Sequence, residues 1–187
     1  MWSAAYFVEY LEALQGPYSE LRFSFESEEG LVTIIGNNVH IDPRMGEIVA
    51  ENVRVIDALN LSAFTANSVE IKAPLPWLRN PKWEAVIKGG VIVVKRGMDG
   101  KYSWERLFPK ITDEEAPDLP FQVSLERTVI YYTDLQDEKT HWTIDARDIS
   151  FEGIGEKWRL IFDGSISEVG ELYAVVVSDE SGVIQTQ

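Results

Sequence analysis

The sequence predicts a mainly β protein, an antiparallel sheet preceded by one short N-terminal α-helix. Three observations carry this expectation. From about residue 20 onward, apolar and polar residues alternate at a period of two. Turn-forming clusters divide the alternating runs, among them Asp42-Pro43-Arg44-Met45-Gly46 and Met98-Asp99-Gly100-Lys101, whose Asp-Gly is a strong hairpin signal. Helical spacing occurs once, in residues 2–15, where Ala4, Phe7, Leu11 and Leu14 form a stripe widened by Val8 and stopped by Gly16-Pro17. Trp2, Tyr6 and Tyr10 make that helix apolar over much of its circumference. A helix so short is unstable alone, so it is expected to dock on the sheet and cap one end.

The strands follow in order. Leu21, Phe23 and Phe25 alternate with polar partners, and after Glu28-Glu29-Gly30 so do Leu31, Thr33 and Ile35. Val39 and Ile41 precede the first turn, Val53 and Val55 follow it, and Leu61 to Ile71 form the next run. A Pro-rich corner, Ala73 to Trp77, interrupts. Trp83, Ala85 and Ile87 then lead into Val91-Ile92-Val93-Val94, and after the Asp-Gly turn Tyr102 and Trp104 are expected to open a return strand. Residues 109–120 hold three prolines and four acids, which predicts a loop between a first sheet segment at 20–108 and a second at 121–187. In the second segment the alternation resumes at Phe121-Val123-Leu125, Val129-Tyr131, Trp142-Ile144-Ala146, Trp158-Leu160-Phe162 and Leu172-Ala174-Val176. An internal repeat is visible as well: Gly90-Val91-Ile92-Val93-Val94 stands thirteen residues before Trp104 (counting from Val91), as Thr128-Val129-Ile130-Tyr131-Tyr132 stands before Trp142 (from Val129). Two unrelated hairpins of ordinary length would show the same pattern.

The whole, 187 residues, fits one domain with ample chain for a core. With 17 Lys+Arg against 31 Asp+Glu, a formal net charge of −14, the chain carries no basic stripe for nucleic acid and is repelled by anionic lipid surfaces. It has no cysteine, which excludes disulfides, zinc-thiolate sites, iron–sulfur clusters and thiol nucleophiles. No run approaches the roughly 18 apolar residues of a membrane-spanning helix, and no basic-then-apolar leader opens the sequence.

No catalytic constellation emerges, and the expectation is a protein that is not an enzyme and uses no cofactor or metal. His40 and His141 stand apart, and HExxH, GxGxxG, Walker A and GxSxG patterns are absent. Pairs such as Asp145 with Asp148, or Glu84 with Asp99, arise by chance among so many acids. Asp134-Leu-Gln-Asp137-Glu138 lacks the glycine and distal Glu of a calcium loop. The six Trp and seven Tyr leave open a carbohydrate-stacking platform, although aromatics at strand positions more often pack in a core.

Several segments together resemble the AsmA/TamB superfamily of bacterial envelope proteins. Ile87-Lys-Gly-Gly-Val-Ile-Val-Val-Lys-Arg-Gly-Met-Asp-Gly-Lys-Tyr-Ser-Trp-Glu-Arg-Leu107 is similar to a family signature in which an apolar strand leads to a basic residue, Asp-Gly and an aromatic. Leu119-Pro-Phe-Gln-Val-Ser-Leu-Glu-Arg-Thr-Val-Ile-Tyr-Tyr-Thr-Asp134 resembles the strand ending in Asp that follows an acidic loop, and Gly46 to Asp57 with Phe64 to Lys72 resembles the preceding unit. The likeness covers about residues 31–165. Family members usually begin with a transmembrane anchor and are often far longer, departures expected if this sequence is a piece of a longer protein.

The resemblance implies a curved antiparallel sheet forming an open, taco-like trough, apolar within and polar without. It implies a non-enzymatic segment lining a hydrophobic groove for glycerophospholipid transport in outer membrane biogenesis. The location implied is the periplasm or cell envelope, the partners being phospholipid acyl chains, adjacent β-groove segments of a longer chain and a membrane-anchored neighbour. The inward alternates would be Val53, Val55, Val69, Ile71, Ile87, Val91, Val93, Val129, Tyr131, Ile144, Leu160 and Phe162. A one-residue slip inverts such an assignment. The same residues would also fill a closed sandwich core. Two other readings stay open, a carbohydrate-binding β-sandwich and an assembly module that pairs a free sheet edge with another β-chain.

Overall fold

The computed structural model describes residues 17–27, 30–57, 61–75, 81–103, 105, 119–137, 140–154, 157–178 and 184–186. The helix expected at 2–15 lies outside the described residues, as do 109–118 of the expected loop. The strands are β1 (Tyr18–Ser27), β2 (Gly30–Asp42), β3 (Glu47–Ile56), β4 (Ser62–Lys72), β5 (Trp83–Lys88), β6 (Val91–Arg96), β7 (Phe121–Asp134), β8 (His141–Ile154), β9 (Lys157–Ile166), β10 (Gly170–Ser178) and β11 (Ile184–Thr186).

All eleven belong to one sheet, in the order β1-β2-β3-β4-β5-β7-β8-β9-β10-β11, with β6 also seated between β4 and β7. The end strands β1 and β11 are not paired with each other, so the described strands do not close into a barrel. β5 and β6 behave as one long strand interrupted at Gly89-Gly90: β5 pairs the second half of β4 and the first half of β7, and β6 pairs the remaining halves.

The sheet is mainly antiparallel, as expected, but it is mixed: β5 and β6 both run parallel to β7. A parallel neighbour requires a connection of a dozen residues or more, and residues 97–120 supply it. Of the return strand expected after the Asp-Gly turn, Trp104 and residues 106–118 lie outside the described residues. The turn itself forms, with Gly97 N donating to Lys101 O at 2.8 Å and Gly100 at φ 81°. Beyond it, Tyr102 makes one isolated bridge to Arg96.

The parallel pairing follows the repeat seen in the sequence. Trp83 faces Phe121, Lys88 faces Glu126, Val91 faces Val129 and Arg96 faces Asp134, a constant offset of 38 (121 − 83 and 134 − 96). The two repeat strands therefore lie side by side with equivalent residues opposed.

Cross-strand partners share a face, so the registers assign every side chain to one side of the sheet. One side is apolar strand after strand: Leu21, Phe23 and Phe25 on β1; Val32, Ile34, Val39 and Ile41 on β2; Ile48, Ala50, Val53 and Val55 on β3; Phe64, Ala66, Val69 and Ile71 on β4. It continues through Ala85, Ile87, Ile92 and Val94 to Phe121, Val123, Leu125, Thr128, Ile130 and Tyr132 on β7. Trp142, Ile144, Ala146, Ile149 and Phe151 on β8, Trp158, Leu160, Phe162 and Ile166 on β9, and Leu172, Ala174 and Val176 on β10 complete it. The opposite side is mostly polar and carries cross-strand ion pairs such as Lys72–Glu47 at 3.4 Å and Lys88–Glu126 at 3.8 Å. Exposed pairs of this kind contribute about 0–1 kcal/mol each.

Keeping one side apolar along β2, β3, β4, β7 and β8, strands of ten to fourteen residues, requires each of these five to break its period once. The breaks form a row across the sheet. Asn38 and Asn52 (φ 47° and 48°) interrupt β2 and β3, Gly89 (φ 61°) separates β5 from β6, Arg127 (φ 52°) interrupts β7, and a bulge falls between Ala146 and Asp148 on β8. Such bulges bend a strand and increase its twist. The buried residues lie mostly on the apolar side in two clusters, Val39 with Ile41 and Val32 with Val55, each packed by residues of neighbouring strands.

Candidate functional site

A cleft on the apolar side is lined at once from four strands: Leu21 and Phe23 of β1, Ile34, Gly36 and Val39 of β2, Ile48, Ala50 and Val53 of β3, and Val69 and Ile71 of β4. A flat sheet cannot bring β1 and β4 to one cleft, so the sheet is concave here. The cleft holds about 150 Å³ and is open on one side, and its lining is almost wholly apolar. Gly36 keeps its floor open: a Cβ there would lie 3.2 Å from the Ala50 Cβ and 3.3 Å from Val39 Cγ2.

Further along the same side, aromatic rings meet across strands. Phe121 and Phe151 have centroids 5.0 Å apart and Phe151 and Trp158 5.7 Å, both tilted, while Tyr132 stacks on Trp142 at 5.4 Å. Gly153 makes room for Trp158, since a Cβ at Gly153 would come within 2.9 Å of Trp158 Cα and Cβ. The rings lean on one another and form no coplanar row of the kind a sugar would stack on.

Of the residues expected to face inward, Val53, Val55, Val69, Ile71, Ile87, Ile144, Leu160 and Phe162 lie on the apolar side. Val91, Val93, Val129 and Tyr131 lie on the opposite side, a correction with a local cause. Strict alternation carries the parity of Ile87 to Val91 and Val93, but Gly89 breaks it, and Arg127 does the same between Leu125 and Val129. Ile92, Val94, Thr128, Ile130 and Tyr132 take their place. Thr128 is fully buried, and its Oγ1 has no hydrogen-bond partner among the described residues. The glycine at 89 was the signal that could have revealed the shift; nothing in the residue type announces it at Arg127.

At one end of the apolar side, β6 and β7 finish in a charged pair. Arg96 Nη1 donates to Asp134 Oδ2 at 3.2 Å, Gln136 N donates to Asp134 Oδ1 at 2.9 Å, and the Tyr132 hydroxyl donates to Oδ2 at 3.4 Å. The Gln136 amide, and after it the Arg96 guanidinium, holds the Asp134 carboxyl below the usual carboxylate range against the opposing effect of burial. This cluster ties the ends of β6 and β7 together and leads into the following turn, where Leu135 N donates to Arg96 O at 2.9 Å.

Among the described residues no group of three or more His, Asp or Glu could hold a metal ion, and no helix is long and apolar enough to cross a membrane. No family model and no curated protein sequence matches the chain.

Proposed function

We propose that the apolar side of this sheet is an open groove for acyl chains, and that the protein is a non-enzymatic lipid-binding segment of AsmA/TamB-like character. The observation that carries this reading is the continuity of the apolar side from β1 to β10 in a sheet that neither closes on itself nor belongs to a pair of sheets among the described strands. Where such a surface lies open it gains about 0.8 kcal/mol for every methylene that covers it. The bulge row curls the sheet into a trough, and the polar outer side keeps the molecule dissolved. Glycerophospholipid in a cell envelope, held by a chain with neighbouring groove segments and a membrane anchor, suits such a trough.

A second reading draws on the edge of the sheet at β1, which among the described strands pairs with β2 alone. Such an edge can accept another strand, which would lengthen the groove and is compatible with the first reading.

Uptake of a fluorescent long-chain fatty acid by the full chain tests the proposal. Saturable binding that unlabelled phospholipid displaces is the expected result, and no uptake at any accessible concentration would overturn it.

A further inference from the structure

The deepest line of the apolar side is drawn in small residues. Ala66 of β4, Gly90 between β5 and β6, Thr128 of β7, Ala146 of β8 and Gly164 of β9 follow one another from strand to strand. All five are buried, whereas the larger apolar residues flanking them on the same side, such as Leu125 and Ile130 on β7 and Ile144 and Ile149 on β8, are half-buried. The row is thus the floor of the concave side, and the flanking residues are its walls. The walls lean inward, for a Cβ at Gly164 would lie 3.0 Å from the tip of the Phe162 ring. At its β4 end the floor continues into Val53, which pairs with Ala66 and lines the open cleft.

One member of the row stands out. Its neighbours along the floor are glycine and alanine, yet Thr128 brings a hydroxyl among apolar side chains, fully buried and without a hydrogen-bond partner among the described residues. The hydroxyl is turned along the floor toward the cleft: Oγ1 lies 3.1 Å from the point where a side chain at Gly90 would begin, and the glycine adds no atom there. A buried polar group left unpaired is rare in a folded protein and calls for a reason. From Val53 the hydroxyl stands three strand spacings away, about 14 Å, within the length of one long acyl chain lying on the floor.

We propose that the Thr128 hydroxyl donates a hydrogen bond to an oxygen carried by the bound chain, so that the groove selects oxygen-bearing acyl lipids over plain hydrocarbon. That oxygen has two chemical sources, a hydroxyl within the chain or the carbonyl of its ester. Binding spreads the wall side chains and gives the hydroxyl the partner that the described residues do not supply. An apolar floor rewards every acyl chain alike, whereas an unpaired buried donor discriminates against a ligand that cannot pair it. The inference rests on the acyl-groove reading and goes beyond it by naming what the groove selects.

The experiment measures binding to the full chain of two matched pairs of probes. Ricinoleate and oleate differ by one mid-chain hydroxyl, and glyceryl monooleate differs from its ether analogue by the ester carbonyl. Wild type is expected to prefer the oxygen-bearing member of at least one pair by roughly tenfold, the worth of one hydrogen bond in affinity, and the pair that shows the preference names the source. Thr128→Val keeps the shape and removes the donor, so it should bind both members equally, at the wild-type affinity for the poorer one. Thr128→Ser should retain the preference. Equal binding within both pairs by wild type, or a preference that survives in Thr128→Val, would overturn the inference. Since Thr128→Val is expected to be at least as stable as wild type, a thermal melt distinguishes lost recognition from lost folding. Oleate separates the two ideas: oleate bound without any preference leaves the groove standing and sinks the role of Thr128, whereas no binding of any probe sinks both.

Discussion

Gly89 and Arg127 occupy equivalent positions on neighbouring parallel strands, 38 residues apart, and both take left-handed backbone angles of 61° and 52°. The ladder on either side of them is uninterrupted in its offset, with Gly89 N donating to Glu126 O and Val129 N to Gly90 O, each at 2.9 Å. The two breaks are therefore one feature shared by two copies of a repeat, and they turn the apolar residues of both strands to the same side above and below the row.

These two positions should respond oppositely to substitution. Gly89→Ala places a Cβ against the Asn67 side-chain amide and holds alanine at φ 61°, a left-handed conformation that costs about 1–2 kcal/mol. Arg127→Gly removes that same cost from an exposed residue, so its stability should equal or exceed wild type by up to about 1 kcal/mol. Urea denaturation of the two variants checks both signs.

Thr128→Val should stabilise the protein. The hydroxyl is fully buried without a hydrogen-bond partner among the described residues, and valine has nearly the same shape. Relief of an unsatisfied buried group is worth about 1 kcal/mol, which a thermal melt would register as a higher midpoint.

The Asp134 cluster should impose an acid limit on stability. Its carboxyl titrates below the ordinary range when folded, so the unfolded chain binds its proton first as pH falls. The stabilisation is fully present above the unfolded carboxylate value of about 3.9 and is lost as pH descends through the lower folded value. Asp134→Asn, which leaves Arg96 without its anion, should be less stable at neutral pH, and the difference from wild type should shrink in denaturation curves taken below about pH 4.

A charge on the apolar side should abolish acyl binding, and the same charge across the sheet should not. Val69 lines the cleft, whereas Val93 stands on the opposite side beside Tyr131. Val69→Asp is expected to eliminate fatty-acid uptake and Val93→Asp to retain it, with circular dichroism confirming that both remain β-structured.

The sequence carried the strand positions well, because one side of each strand is apolar and the turns between them are rich in Gly, Asp and Pro. Val53, Val55, Val69 and Ile71 were legible from alternation alone: β3 and β4 break period at the same level, between Ala50 and Val53 and between Ala66 and Val69, and each apolar pair falls within an unbroken stretch. Val91, Val93, Val129 and Tyr131 were not, because a left-handed residue displaces the period by one and alternation contains no record of the displacement. The parallel placement of β6 beside β7 was equally hidden. The repeat of Gly90–Val94 in Thr128–Tyr132 was visible, but two hairpins and two side-by-side strands share one sequence pattern. What covers an apolar face is likewise unwritten in its periodicity.

Native mass spectrometry of the full chain, purified under mild conditions and compared before and after organic extraction, tests the central claim most directly. An uncovered acyl groove predicts bound species in the mass range of membrane lipids that extraction removes and that the Val69→Asp protein lacks. A single bare polypeptide mass in every sample, from protein given access to membrane lipid throughout, would contradict it.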